Sequence, residues 1–257
     1  MAATRLLLLA ALSLILTPAL SHAQGLPAAE HYVGIARTDD GREAYREAHW
    51  VTRADGRQSR LVLYLCPDGR PFARKWVRGP LGGSTPDFAL EDARDGYLEG
   101  ARAGTVYTRD NATAQQESAR VSAPADAVID AGFDDYLRTH WDALSNGGAI
   151  HFLVPGRHAF LPLRIRAEDG QLDGVPVRRF HLRLDAWYGF AAPKLEVAYR
   201  VADRRLLRFT GIGSLRDGNG GSQAVRIDFP DKLRAPAPTR QDIDAAATQP
   251  LVSRCTQ

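Results

Sequence analysis

Between His31 and Phe229 the chain repeats one pattern: a short segment of alternating apolar and polar residues, closed by residues that turn the backbone. Alternation with a period of two puts every second side chain on the same face of a strand. HYVGIAR (31–37) and EAYREAHWVTR (43–53) flank a turn at Asp39 to Gly41, and SRLVLYLC (59–66) and PFARKWVR (71–78) flank Pro67-Asp68-Gly69. In that second turn proline fixes φ and glycine supplies the positive φ. Residues 79–86 read as a loop, and weaker strands are expected over 95–101, 105–108 and 116–122. Stronger ones follow at 149–154, 160–168, 175–188, 194–201, 206–215 and 224–229, with turns at Glu168-Asp169-Gly170, Asp203-Arg204 and 217–222. Strand follows strand without helices between them, which points to an antiparallel meander and excludes βαβ units.

One stretch departs from the pattern. In DAGFDDYLRTHWDALSNGG (130–148), Phe133, Leu137, Trp141 and Leu144 fall at helical spacing, and Tyr136 and His140 widen the stripe. Asp134, Asp135, Arg138, Thr139 and Asp142 take the other face, where Asp134–Arg138 and Arg138–Asp142 are i,i+4 pairs. Asp130 is placed to cap the start, and Asn146-Gly147-Gly148 ends the segment. The expectation is a packed helix with a solvated acidic face rather than a catalytic cluster. After Pro230 the sequence turns Pro- and Ala-rich, and residues 231–257 read as an extended tail.

The N-terminus reads as an export signal: Arg5, then the apolar run Leu6 to Leu16, then Pro18 and Ser21-His22-Ala23, with cleavage expected after Ala23. That leaves a single domain over 24–230 and the tail. No cysteine follows the cut, so acylation is not expected, and no later segment approaches the length of a transmembrane helix. Arginine greatly outnumbers lysine, which stands only at positions 75, 194 and 232, a bias of bacterial type that favours the periplasm. The formal net charge of +3 falls by one with Arg5, and acids and bases are interspersed, so nucleic acid is not an expected partner.

Chemistry-bearing motifs are few, and no cofactor or metal is expected. Cys66 and Cys255 are the only cysteines; an exported chain favours a bridge between them, while their spacing alone leaves open whether the tail returns to that strand. A catalytic thiol is the poorer reading, because Cys66 follows Leu63, Tyr64 and Leu65 with no basic neighbour. His151 and His158 flank Pro155-Gly156 without a carboxylate near in sequence, and no two-histidine zinc pattern occurs. Ser214 in GIGSL lacks the final glycine of a nucleophile elbow. Arginines gather on one phase of the later strands, including Arg179, Arg183, Arg200 and Arg208. That phase is either a solvated outer face or a surface for anionic head groups or a protein partner.

YRVADRRLLRFTGIGSLRDGNGGSQAVRIDF (199–229), with DAGFDDYLRTHWDAL (130–144) and HFLVPGR (151–157), resembles a family of uncharacterised bacterial periplasmic proteins. That family is similar in strand order to the lipoprotein-carrier fold, a curved antiparallel sheet forming an unclosed barrel with helix on its concave side. The resemblance spans roughly residues 28–230 and brings no catalytic residues. It implies a half-barrel able to hold acyl chains; lacking a lipidation cysteine, the chain departs from the membrane-anchored variant and fits a soluble carrier or chaperone. The expectation is therefore a mainly β, non-enzymatic protein binding a hydrophobic or lipid-like ligand, with Trp50, Trp76, Trp141, Phe152, Phe160 and Trp187 lining or bordering the site. The alternatives are an assembly protein that docks a partner through its arginine face and a hydrolase whose site the sequence does not reveal.

Overall fold

The computed structural model describes residues 27–186, 195–217 and 220–256; the expected signal (1–23) and Trp187 lie outside them. Eight strands run in sequence as an antiparallel meander: β1 (Ala29–Arg37), β2 (Glu43–Ala54), β3 (Arg57–Leu65), β4 (Pro71–Pro80), β5 (Asp87–Asp92), β6 (Tyr97–Arg102), β7 (Thr105–Arg109) and β8 (Glu117–Arg120). The chain then passes through β9 (Ala127–Val128), α1 (Gly132–Thr139) and a 3-10 turn at Ala143–Asn146. A second meander follows: β10 (Gly148–Val154), β11 (Ala159–Leu172), β12 (Val175–Leu184), β13 (Leu195–Arg200), β14 (Leu206–Arg216) and β15 (Ser222–Asp228). The two meanders join where β1 pairs with β15, Ile35 opposite Asp228. After β16 (Arg234–Ala235), which pairs with the other half of β1, comes α2 (Arg240–Ala247).

The order β8 to β1, then β15 to β9, makes one open, mainly β sheet whose edge strands β8 and β9 are joined by residues 121–126. From β9, α1 leads into β10, which pairs parallel with β9, so these elements form a βαβ unit where the sequence pattern pointed to a pure meander. The register settles which residues share the covered face. Tyr45, Glu47, His49 and Val51 of β2 stand beside Tyr64, Val62 and Arg60 of β3 and Ala73, Lys75 and Val77 of β4. On the second arm, Phe180 and Leu182 of β12 share a face with Val197 and Tyr199 of β13 and Ile165 of β11. Leu137, Trp141 and Leu144 pack on this second arm, so the apolar stripe read from the sequence is the one that meets the sheet. Leu153, on the reverse side of β10 from Ile150, packs with Val77, Phe88, Ala101 and Val106 of the first arm. The sheet is therefore rolled, with one edge lying inside the curve of the other arm.

Local turn chemistry explains the tight hairpins. Asp55-Gly56, Ala103-Gly104 and Asp173-Gly174 all have positive φ at both positions, the backbone that matches strand twist in two-residue hairpins. The expected turn at Glu168-Asp169-Gly170 is instead part of β11, paired with Val177 to Arg179, and the reversal comes at Asp173-Gly174. Strand β5, absent from the sequence reading, is short but alternates Phe88 and Leu90 inward. The meander has one parallel exception, β9 with β10.

Two further expectations are corrected. The helix over 130–148 is shorter, and Asp130 does not cap it: residue Ala131 is the N-cap, and Asp130 has φ +43 and an ion pair with Lys75. Close approach to the 79–86 loop fixes this start, since a Cβ on Gly132 would stand 2.2 Å from the Ser84 carbonyl. The tail is not simply extended. Thr239 and Asp242 form a capping box that starts α2, and Ile243, Ala246 and Ala247 cover Leu61 and Leu63 on the sheet's outer face. Cys66 and Cys255 are bridged, and Val252 donates to the Pro71 carbonyl at 2.8 Å, so the tail is strapped to the β3–β4 hairpin.

The bridge closes a loop of 189 residues, and such a crosslink restricts the unfolded chain. Replacing Cys255 with serine is expected to lower unfolding stability by about 2–4 kcal/mol in denaturant titration; an unchanged midpoint would show that the strap does not restrain the fold.

Candidate functional site

Charged residues in phase with an apolar face are the strongest anomaly on the inner surface. Arg60 shares the inward phase of Val62 and Tyr64, and its guanidinium donates to Asp134 Oδ2 at 2.8 Å. Arg138 donates to the same oxygen at 2.7 Å, and the Tyr199 hydroxyl donates to Oδ1 at 2.6 Å. One buried carboxylate thus joins β3, α1 and β13. Burial alone would raise the Asp134 pKa, but Arg138, Arg60 and the Tyr199 hydrogen bond outweigh it and hold the group well below the usual carboxylate range. Its neighbour Asp135 is also buried and accepts from Gln58 Nε2 at 2.9 Å. Burial and the charge of Asp134 push its carboxyl up. Asp134 and Asp135, expected in solvent, are therefore turned into the protein by the rolled sheet, while Thr139 and Asp142 of the same expected face stay exposed.

A second polar group lies on the same covered face. Lys75 Nζ donates to Asp130 Oδ2 at 2.9 Å and to Ser214 Oγ at 3.0 Å. Burial works against the ammonium, but Asp130 and Tyr64 outweigh it, so the Lys75 pKa is raised. A lysine held as ammonium cannot take a proton from Ser214, so this pair is a structural contact and not an activated nucleophile. Burial pushes the Glu99 carboxyl up to about 7, against the hydrogen bond it accepts from Tyr97 at 2.8 Å. His49 stands 3.1 Å from Glu47, and burial lowers its pKa.

At the mouth of the half-barrel, beside α1, an open groove of about 540 Å³ is lined by Ala28, Arg53, Ala54, Asp55, Gly56, Leu81, Gly82, Asp135, Arg138 and Thr139. Its residues come from the start of β1, the β2–β3 turn, the end of β4 and the outer end of α1. Leu81 is 50% exposed. Next to the groove, between Gln58, Val77 and Asp135, a small void measures about 10 Å³, at most the room of one water.

The aromatic residues expected around one ligand site do not share a face. Trp50 and Trp76 are on the outer side near α2, with Trp50 stacked on His31 and the Arg78 guanidinium over Trp76. Trp141 is inside, edge-on to Phe180 and Tyr199, and Phe152 meets Phe133. Phe160 packs near Leu153 where the two arms touch. None of these five lines the groove. Among the arginines of the later strands, Arg179 pairs with Glu196, Arg200 with Asp203 and Asp231, and Arg208 with Asp228, while Arg183 is exposed. His151 stands 2.8 Å from Asp126, a carboxylate remote in sequence, and His158 lies apart near Thr108. Among the described residues, no three or more His, Cys, Asp or Glu side chains are grouped to hold a metal ion. The sequence reading missed Arg60, Lys75, Glu47 and His49; their inward phase, shared with Tyr45, Val51, Ala73 and Val77, was the available signal.

No family model matches the chain, and no curated protein matches it. Among solved structures it is similar to a DUF1329 family protein from Desulfovibrio piger, at 8% identity and a TM-score of 0.30, over 79% of this chain and 83% of that one. At that level the likeness bears no weight for fold or function.

Replacing Asp134 with alanine leaves two buried guanidinium groups and a phenol without their acceptor, and is expected to cost about 3–5 kcal/mol of unfolding free energy; a loss under 1 kcal/mol, about that of a surface pair, would mean the network is incidental. Glu99 gives a pH signature. Its folded pKa of about 7 exceeds the ordinary 4.5, so the stability it contributes is full below 4.5 and is lost as pH rises through 7. Urea midpoints are expected to fall over that window in the wild type, and the Glu99→Gln variant should remove that part of the slope; identical slopes in the two proteins would refute the assignment.

Proposed function

We propose that this protein is a non-catalytic binding module that seats an apolar or amphiphilic ligand in the groove at the half-barrel mouth. The carrying observation is the contrast between a groove of about 540 Å³ and an adjoining void of about 10 Å³. The groove falls within the usual size of small-ligand pockets, roughly 300–1,000 Å³. Beneath α1, Trp141, Phe180, Tyr199, Ile150 and Ile165 are buried together, so an acyl chain has no ready space between helix and sheet. Leu81, Ala54 and Ala28 give the groove an apolar wall, and the hydrogen-bonded Asp135 and Arg138 form a fixed polar end. Side chains already held by their neighbours lose little freedom when a ligand arrives, which favours binding. The serine beside a basic residue, Ser214, faces an ammonium locked to Asp130, in keeping with a module that binds without bond-making. The leader read at residues 1–23 places the activity in the periplasm under the same proposal, where a Cys66–Cys255 bridge would persist.

The uncharged dye Nile red is expected to show saturable fluorescence enhancement with the wild-type protein. Ala54→Trp, at an exposed position on the groove wall, is expected to abolish it without changing the circular dichroism spectrum. No enhancement, or enhancement unaffected by the tryptophan, would reject the groove as the binding site.

A further inference from the structure

We infer that the polar end of the groove's ligand is an uncharged carbonyl, an ester or amide oxygen, held by the guanidinium groups of Arg53 and Arg138; this rests on the groove being a ligand site. The charges that line the groove balance, Arg53 and Arg138 against Asp55 and Asp135. Behind them the balance continues. Arg53 donates to Glu30 at 2.7 Å, and Arg60 and Arg138 share Asp134 at 2.8 and 2.7 Å. Asp135 accepts from Gln58 at 2.9 Å, and Arg60, Arg138 and Arg53 all favour its charged form. Asp55 stands at the exposed β2–β3 turn, where water solvates it. An ion entering here meets no opposite charge left uncompensated, and it gives up part of its own hydration.

What the groove does offer is free donors. Arg53 uses Nε on Gln58 and Nη1 on Glu30 and the Pro27 carbonyl, while Arg138 uses Nε on the Arg204 carbonyl and Nη1 on Asp134. In both residues Nη2 has no hydrogen-bond partner among the described residues, and neither atom is sealed from solvent. A guanidinium nitrogen donates and never accepts, so its complement is an oxygen with lone pairs. A carbonyl brings two lone pairs and no ionic charge to desolvate, and a charged donor makes the bond stronger than one between neutral groups. The apolar remainder of such a ligand lies along Ala54 and Leu81.

Titration calorimetry at neutral pH with octanamide, octanoate and octylammonium, each below the concentration at which it self-associates, compares three polar ends on one chain length. Wild-type protein is expected to bind octanamide about tenfold tighter than either ion, the scale of one hydrogen bond from a charged donor. Arg53→Lys and Arg138→Lys keep a cation for Glu30 and for Asp134 but lose the second planar N–H group, and at least one of them should erase the amide preference. Either ion binding the wild type as tightly as octanamide, or an amide preference unchanged in both lysine variants, would overturn the inference and leave the groove reading standing. Failure of all three ligands to bind the wild type would overturn both.

Discussion

The structure depends on one carboxylate. Asp134 receives Arg60 from the first arm of the sheet, Tyr199 from the second and Arg138 from its own helix. The two arms share a backbone ladder at β1 and β15, and side chains tie them elsewhere as well, Lys75 to Ser214, Arg94 to the Arg216 carbonyl and Arg216 to Asp110. Apolar packing supplies much of the hold between them, but packing is not directional. The Asp134 contacts fix how far α1 enters and which way it faces, and so they place Asp135 and Arg138 at the groove. Taking such charges out of water is favourable only when every partner is present, which makes this point sensitive to the loss of any one of them.

The chain covers the two faces of its sheet by different means. On the inside, the crossover from edge strand β9 to its parallel neighbour β10 carries α1. On the outside, the returning tail lays α2 over Leu61 and Leu63. An isolated eight-residue helix is marginal in water; here the capping box, the Val252–Pro71 hydrogen bond and the disulfide hold it in place. With both faces covered, the mouth beside α1 is where an open groove remains. The separate Lys75–Asp130–Ser214 contact pins the entry to α1 from the other end, so the helix is anchored at its start and along its acidic face.

Much of this was legible in the sequence. Alternation located most strands, because a half-buried strand must alternate, and the helical spacing of Phe133, Leu137, Trp141 and Leu144 located α1 and its apolar side. The orientation of the acidic side was not legible. Periodicity separates two faces of a helix but does not say whether the second meets water or another wall, and only the rolled sheet decides that. Arg60 and Lys75 carried a usable sign, being charged residues in an apolar phase. Strand β5 was missed although Phe88 and Leu90 alternate inward, and α2 was hidden by the proline-rich sequence around it. The groove could not have been read at all: Ala28, Ala54, Leu81 and Asp135 are distant in sequence and meet only through the topology.

The central claim, that Asp134 couples the two arms, is tested most directly by a double-mutant cycle between Arg60→Met and Tyr199→Phe, read by denaturant unfolding. These residues sit on different arms and share Asp134 as acceptor. The account predicts a coupling energy of about 0.5–3 kcal/mol, the range for members of one network, that disappears when the cycle is repeated with Asp134→Asn. Strict additivity of the two changes in the presence of Asp134 would contradict it.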